Sequence, residues 1–173
     1  RQTLLFSATL DGVIGNLAKR LLKNPKRICI AATQARHENI EQRLMYVDDM
    51  AHKGRLLDHL LRDTDLNQAL VFTATKRDAD ALADKLLSQG HSAAALHGDM
   101  NQRERNRTLV SLRRGQVRIL VATDVAARGI DVPGISHVIN FDLPKAAEDY
   151  VHRIGRTGRA GSSGIAVSFA SNR

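Results

Sequence analysis

Short apolar runs that do not alternate constrain this chain more than any other feature. ALVFT (69–73), SAAAL (92–96), VRILVAT (117–123), SHVINF (136–141) and GIAVSF (164–169) are each the length of a strand. A strand with one face in water alternates apolar with polar residues, whereas an unbroken run suits a strand covered on both faces. Between these runs lie stretches of helical period. Ala79, Leu82, Ala83, Leu86 and Leu87 form one stripe, Thr75 and Asp78 make a capping-box-like start, and Gly90 suits the exit. The pattern also predicts helices near 51–62, 102–114 and 146–153, and a further strand at RLMYVD (43–48). Strands alternating with helices specify an α/β domain: a doubly wound, mostly parallel sheet with helices on both faces.

The first part of the chain reads differently. Apolar residues at 13, 14, 17, 18, 21 and 22 predict an amphipathic helix, with Asp11 placed to cap it and Pro25 soon after its end. The stretch 31–41, AATQARHENIE, is polar and without period, and reads as a linker separating residues 1–30 from 42–173. Cys29, in RICIA, reads as a buried strand residue; as the single cysteine it excludes a disulfide framework and a cysteine-rich zinc site. The seven histidines show no paired ligand spacing, so no metal site is predicted. No run approaches the roughly 20 apolar residues of a membrane span. The start, RQTLLFSATL, is neither a methionine nor a signal peptide, which leads us to expect a cytoplasmic piece of a longer protein with no membrane association.

Charge narrows the partner. The 173 residues carry 26 Lys and Arg against 18 Asp and Glu, a formal charge of +8, which favours a polyanion. Seven arginines fall between Asn101 and Arg128 against two acids, Glu104 and Asp124. They straddle an expected helix, strand and loop, so more than one surface is basic. With four Phe, two Tyr and no Trp, base stacking is a poor candidate for the main binding term.

The chemistry sits in the loops. In ATDVAARGID (122–131), Thr123 can donate a hydroxyl at a strand end, Gly129 permits close backbone approach, and Asp131 could accept from a ribose hydroxyl; an ordinary cap and turn would read the same way. In HGDMNQRER (97–105), Gln102 and Arg105 lie three apart at an expected helix start, where phosphate is welcome and where surface decoration is the alternative. HRIGRTGRAG (152–161) repeats Arg-x-Gly three times from Arg153. The period stops too soon for collagen and is followed by a buried strand, which excludes a disordered Arg-Gly tail. What remains is an ordered turn presenting guanidiniums, whose forked donors suit phosphoryl oxygens. Yet no G-x-x-x-x-G-K-[ST] and no strand-linked G-x-G-x-x-G occurs. An arginine offered to a phosphate held elsewhere is an arginine-finger arrangement.

SAT (7–9), LVFTAT (70–75), HGDMNQRER, ATDVAARGID and HRIGRTGR (152–159), in this order, resemble the later motifs of DEAD-box RNA helicases. Any one is weak, but together in register they are highly specific. The resemblance implies a RecA-like second domain at 42–173, preceded by the end of the first at 1–30. It implies that Arg156 and Arg159 reach the γ-phosphate of ATP, with Gly129 and Asp131 on the nucleotide side. Ser7, Ala8, Thr9 and His152 would couple the two domains, with Arg153 in an interdomain role. Thr73, Gly98, Gln102, Arg105 and Thr123 would touch the sugar-phosphate backbone of a single RNA strand or short duplex, without reading sequence. The ATP-binding loop and the carboxylates that hold Mg2+ would lie in the first domain, so the chain alone, expected to be a monomer, should hydrolyse no ATP. A DNA-directed helicase domain and a non-catalytic RNA-binding module are the alternatives.

Overall fold

The computed structural model describes residues 2–7, 10, 12–28 and 37–171. The chain divides into two compact units, Arg1–Ala31 and Ala32–Arg173. In the first unit the expected helix forms as α1 (Gly12–Leu21), with Lys19 and Arg20 in the last turn where the helix dipole favours cations. None of its residues is buried, and Val13 and Leu21 of the apolar stripe are exposed. Cys29 and residues 31–36 of the expected linker lie outside the described residues.

The second unit is one six-stranded sheet. In chain order its elements are β1 (Ile40–Val47), α2 (Met50–Leu61), β2 (Gln68–Phe72), α3 (Lys76–Ser88), β3 (Ala93–Leu96), α4 (Gln102–Arg113), β4 (Ile119–Ala122), α5 (Asp124–Ala127), β5 (Ile135–Asn140), α6 (Ala147–Ile154) and β6 (Gly164–Ser171). The strands lie in the order β1-β6-β5-β2-β4-β3, and every neighbouring pair is parallel. Each connection therefore crosses over with a helix, as the alternation of runs and stripes requires.

Successive side chains of a strand point to opposite faces, and the core divides accordingly. Ile119 and Val121 of β4 join Leu57 and Leu61 of α2 and Leu82 and Leu86 of α3 on one face. Leu120 and Ala122 join Leu112 of α4 and Ala126 and Ala127 of α5 on the other. A third cluster seats Ile154 of α6 on Ile40 and Ala166. Leu70, Val71, Leu120 and Val121 in the sheet centre have no exposed surface, and each such side chain stabilises the fold by about 1.5–3 kcal/mol.

Two elements depart from expectation. β1 begins at Ile40, inside the 31–41 stretch, and only its end residues are buried because it is an edge strand with a single neighbour. α5 is one turn of four residues, too short to leave a helical period in the sequence. Two helix starts follow the cap chemistry of their sequence. Asn101 accepts from the Glu104 amide at 2.9 Å while Glu104 accepts from the Asn101 amide at 2.9 Å, a capping box that opens α4. Thr75 accepts from the Asp78 amide at 3.1 Å and opens α3.

Candidate functional site

β2, β4 and β3 are neighbours in the sheet, so the loops leaving their carboxyl ends gather on one edge. Three of the expected backbone-contact residues are accessible there. Gly98 is exposed, with open space where a side chain would stand. Gln102 is exposed at the start of α4 and donates to Asn106 Oδ1 at 2.9 Å. Thr123 precedes α5 with its hydroxyl unused as a cap. The other two turn inward. Thr73 is fully buried, its hydroxyl donating to the Thr75 carbonyl at 3.2 Å and its amide to the Ala122 carbonyl at 3.1 Å. Arg105 is half-buried and donates to the Ala126 carbonyl at 2.6 Å, satisfying a carbonyl that α5 leaves open.

Neighbouring charges fix these loops. Lys76 reaches Asp99 at 2.6 Å, tying the loop after β2 to the loop after β3 and holding the Asp99 carboxyl below its usual range. Asp142, just past β5, accepts from the Ala74 amide at 2.9 Å and from Lys53 Nζ at 2.8 Å. Lys53 also lies 4.3 Å from the centroid of the Phe141 ring. Neither Lys53 nor Asp142 stood out in the sequence. A carboxylate following a buried apolar run was the available signal.

The arginine turn lies at the opposite edge. α6 leaves the carboxyl end of β5 and runs back, so the residues between it and β6 stand at the strands' amino ends. There Thr157, 2 % exposed, donates its hydroxyl to the carbonyl of Ile135, the first residue of β5, at 2.6 Å. Gly158 has φ of 64°, and a Cβ on it would stand 2.8 Å from Ile40 Cγ1, so only glycine closes this turn onto β1. The Arg-x-Gly period is thus a packing requirement at Gly158 and a display device at the arginines.

Five expected residues lie on or beside this turn. Arg159 donates to the Gly155 carbonyl at 3.0 Å and to Asp131 Oδ1 at 2.5 Å. Arg156 donates to the Ile130 carbonyl at 2.9 Å. Burial, and then the like charge of Arg159, push its pKa below the ordinary arginine value, with Asp131 acting in the opposite sense. Gly129, with φ of 76°, is exposed two residues before Asp131. His152 is exposed on α6, one turn before Arg156. Arg159 alone bonds the exposed Asp131 carboxylate, which acts on Arg156 only through space, so two guanidiniums stand near a single negative charge.

Arg153 belongs to neither exposed set. It is 3 % exposed, so its side chain does not face outward as an interdomain contact would. Nε and Nη2 grip both carboxylate oxygens of Asp124 at 2.6 Å, and Nη1 donates to the Asp142 carbonyl at 2.6 Å and to Asn140 Oδ1 at 3.2 Å. Its guanidinium carbon lies 4.8 Å from the centroid of Phe72. Asp124 follows Thr123, and Arg153 precedes Arg156 by less than one helical turn. This one side chain fastens the carboxyl-edge loops to the helix that carries the arginines.

Ser7 is exposed, and Ala8 and Thr9 lie outside the described residues. Among the described residues, no three His, Cys, Asp or Glu side chains gather to hold a metal ion, and no helix is long and apolar enough to cross a membrane.

Residues 52–161 match the family described as the helicase conserved C-terminal domain. The chain is 45% identical to the DEAD-box protein SrmB of E. coli, seen bound to regulator of ribonuclease activity A, over 76% of this chain and 78% of that one, with a TM-score of 0.74. It is 37% identical to S. cerevisiae Dbp5 bound to RNA and ADP BeF3, over 97% of this chain and 44% of that one, with a TM-score of 0.84. A DEAD box protein from the hyperthermophile Methanococcus jannaschii is 40% identical over 97% of this chain and 45% of its own, with a TM-score of 0.72. The chain spans less than half the length of the latter two. By sequence and by its all-parallel RecA-like sheet, this chain belongs to the DEAD-box helicases and carries their conserved C-terminal domain.

Proposed function

We propose that residues 42–173 form the second RecA-like domain of an ATP-dependent RNA helicase, that 31–41 link it to the first, and that 1–30 are the end of that first domain. The observation that carries this reading is the arginine turn: Arg159 is held by the Asp131 carboxylate and Arg156 by the Ile130 carbonyl, in a chain with no phosphate-binding loop motif in its sequence. The related Dbp5, seen with RNA and ADP BeF3, supports the choice of ligands.

ATP fits the residues present only in part. Arg156 and Arg159 suit a terminal phosphate, and Gly129 and Asp131 suit a ribose. No carboxylate cluster of the described residues suits Mg2+, which would be held by the first domain. When bound across the two domains, ATP would supply the phosphoanhydride whose hydrolysis drives the cycle. Arg159 would exchange its bond to Asp131 for one to phosphate, leaving the Asp131 carboxylate to accept from hydroxyls. Arg156, already half-desolvated and held by Ile130, loses little freedom on engaging the same charge.

At the other edge, Gly98, Gln102 and Thr123 would meet the sugar-phosphate backbone of a single strand or short duplex, with Thr73 and Arg105 shaping the loops that present them. Such contacts position RNA without reading its sequence. Arg153 makes the two edges one body. Because each ligand would bridge two domains, each favours the closed state and so promotes binding of the other, which strains and locally opens a duplex. Ser7, Ala8, Thr9 and His152 would sense that closure.

The test is Arg156→Ala and Arg159→Ala in the complete protein. RNA-stimulated ATP turnover falls by about 10³-fold or more while RNA binding is kept. Unchanged turnover would leave a non-catalytic binding module as the better description. The 173-residue chain by itself is expected to show no ATP hydrolysis in the same assay.

A further inference from the structure

The sheet stops at β3, and the outer side of that strand carries no partner among the described residues. In a parallel strand the amide and carbonyl of one residue point the same way, and the next residue's point the other way. The Ser92 carbonyl accepts from the Arg118 and Ile119 amides, so Ser92, Ala94 and Leu96 face β4 while Ala93 and Ala95 face outward. Open edges are usually blunted by a lysine, a proline, a bulge or a covering element. β3 reads AAAL and has none of the first three.

What flanks it is a groove. α3 covers one face of the sheet and α4 the other, and residues of both line an open groove of about 610 Å³ together with Ala94 and Ala95. Three alanines in succession leave room for the side chains of an added strand. Leu87, Met100 and Val117 make part of the groove apolar, and Leu87 is 52% exposed.

The charges select the occupant. Although the chain is +8 overall, this groove carries Asp80, Asp84, Asp99 and Glu104 against Arg107. Lys76 partly offsets Asp99, and Asp80 meets His97 at 2.8 Å. Asp84, exposed on α3, has no ion pair among the described residues. Carboxylates at this density repel an RNA strand. Two copies of this edge would also set like charges against each other. We propose that the open edge of β3 is a docking site for a partner protein, whose extended, lysine- or arginine-bearing segment adds to the sheet as a parallel or antiparallel strand. Ala93 is buried, so main-chain bonds to Ala95 would give affinity, and the acidic rim would give selectivity.

The experiment follows the amide resonances of the whole chain during titration with a short synthetic peptide alternating lysine with valine or threonine. Shifts confined to β3, α3 and α4, with slowed exchange at the Ala95 amide, are expected. A counterpart with glutamate for lysine binds about tenfold more weakly. Asp84→Lys, a surface change that leaves the rest of the spectrum in place, weakens the lysine peptide about fivefold. The proposal is overturned by equal affinity for the glutamate peptide, by shifts centred on the Arg156–Arg159 turn, or by no shifts at millimolar peptide. It is equally overturned if oligoadenylate, or self-association of the chain, protects the Ala95 amide instead.

Discussion

Arg153, Arg156 and Arg159 lie within one short motif, yet each meets a different environment: a buried fork on Asp124, a half-buried bond to a carbonyl, and a bond to the exposed Asp131. The motif's composition announced an ordered turn presenting arginines, and the ordered turn was legible. Which arginine would be buried was not legible, because it depends on Asp124, 29 positions away, on Asn140 at the end of β5 and on Asp142 just past it. Thr73 illustrates the same limit: a hydroxyl at a strand end reads as available, but the strand is deep in the sheet and its last side chains are covered. A titrating residue gives a direct check at this scale. His137, 5% exposed on β5, has its pKa lowered from 6.5, by burial first. The unfolded chain therefore binds the proton more readily than the fold does. Stability from this group is full above pH 6.5 and is lost as pH falls through that value towards the folded pKa. Thermal midpoints should decline on going from about pH 7.5 to about 5.5, and His137→Gln should flatten that slope.

At the scale of elements, local rules were sufficient where a period or a cap was present. The stripe from Ala79 to Leu87 and the cap at Thr75 mark α3, and the apolar runs mark the central strands. α5 was invisible because it is a single turn, whereas β1 was expected at 43–48 and begins three residues earlier, at Ile40, as an edge strand with a single neighbour. The relation between α6 and α5 is likewise tertiary, since it rests on the Arg153–Asp124 pair. Breaking a buried pair strands a charge, which commonly costs about 3–5 kcal/mol; with Asp124 about one-third exposed (35%), the lower end applies. Arg153→Met should lower the urea-unfolding free energy by about 3 kcal/mol, and adding Asp124→Leu should recover part of it. If Arg153→Met is neutral, α6 is held by Ile154 and Tyr150 alone.

For the whole molecule, a net charge of +8 proved a poor guide to local surface, because the acidic groove beside β3 sits on the same domain as the arginine-rich α4. On the proposed reading, the salt dependence of binding tests which cations of this domain meet RNA. Each cation that neutralises a phosphate of a single strand contributes about −0.7 to the slope of log affinity against log salt. Arg103 is exposed next to Gln102 on α4. Arg103→Ala in the complete protein should therefore flatten the slope by about 0.7, measured by anisotropy of a labelled oligonucleotide across a salt series. An unaltered slope would place Arg103 off the RNA path.

The clamp of Arg153 on Asp124 also sets how information can move through this domain. The loops at one end of the sheet and the turn at the other are separated by the length of the strands, but α6 fixes their spacing as a strut fixes two walls. Sliding either past the other would require a buried ion pair to break, which is slow compared with a change of orientation. The domain therefore acts as a lever of constant length: what one end learns, the other can express only by where the entire body points.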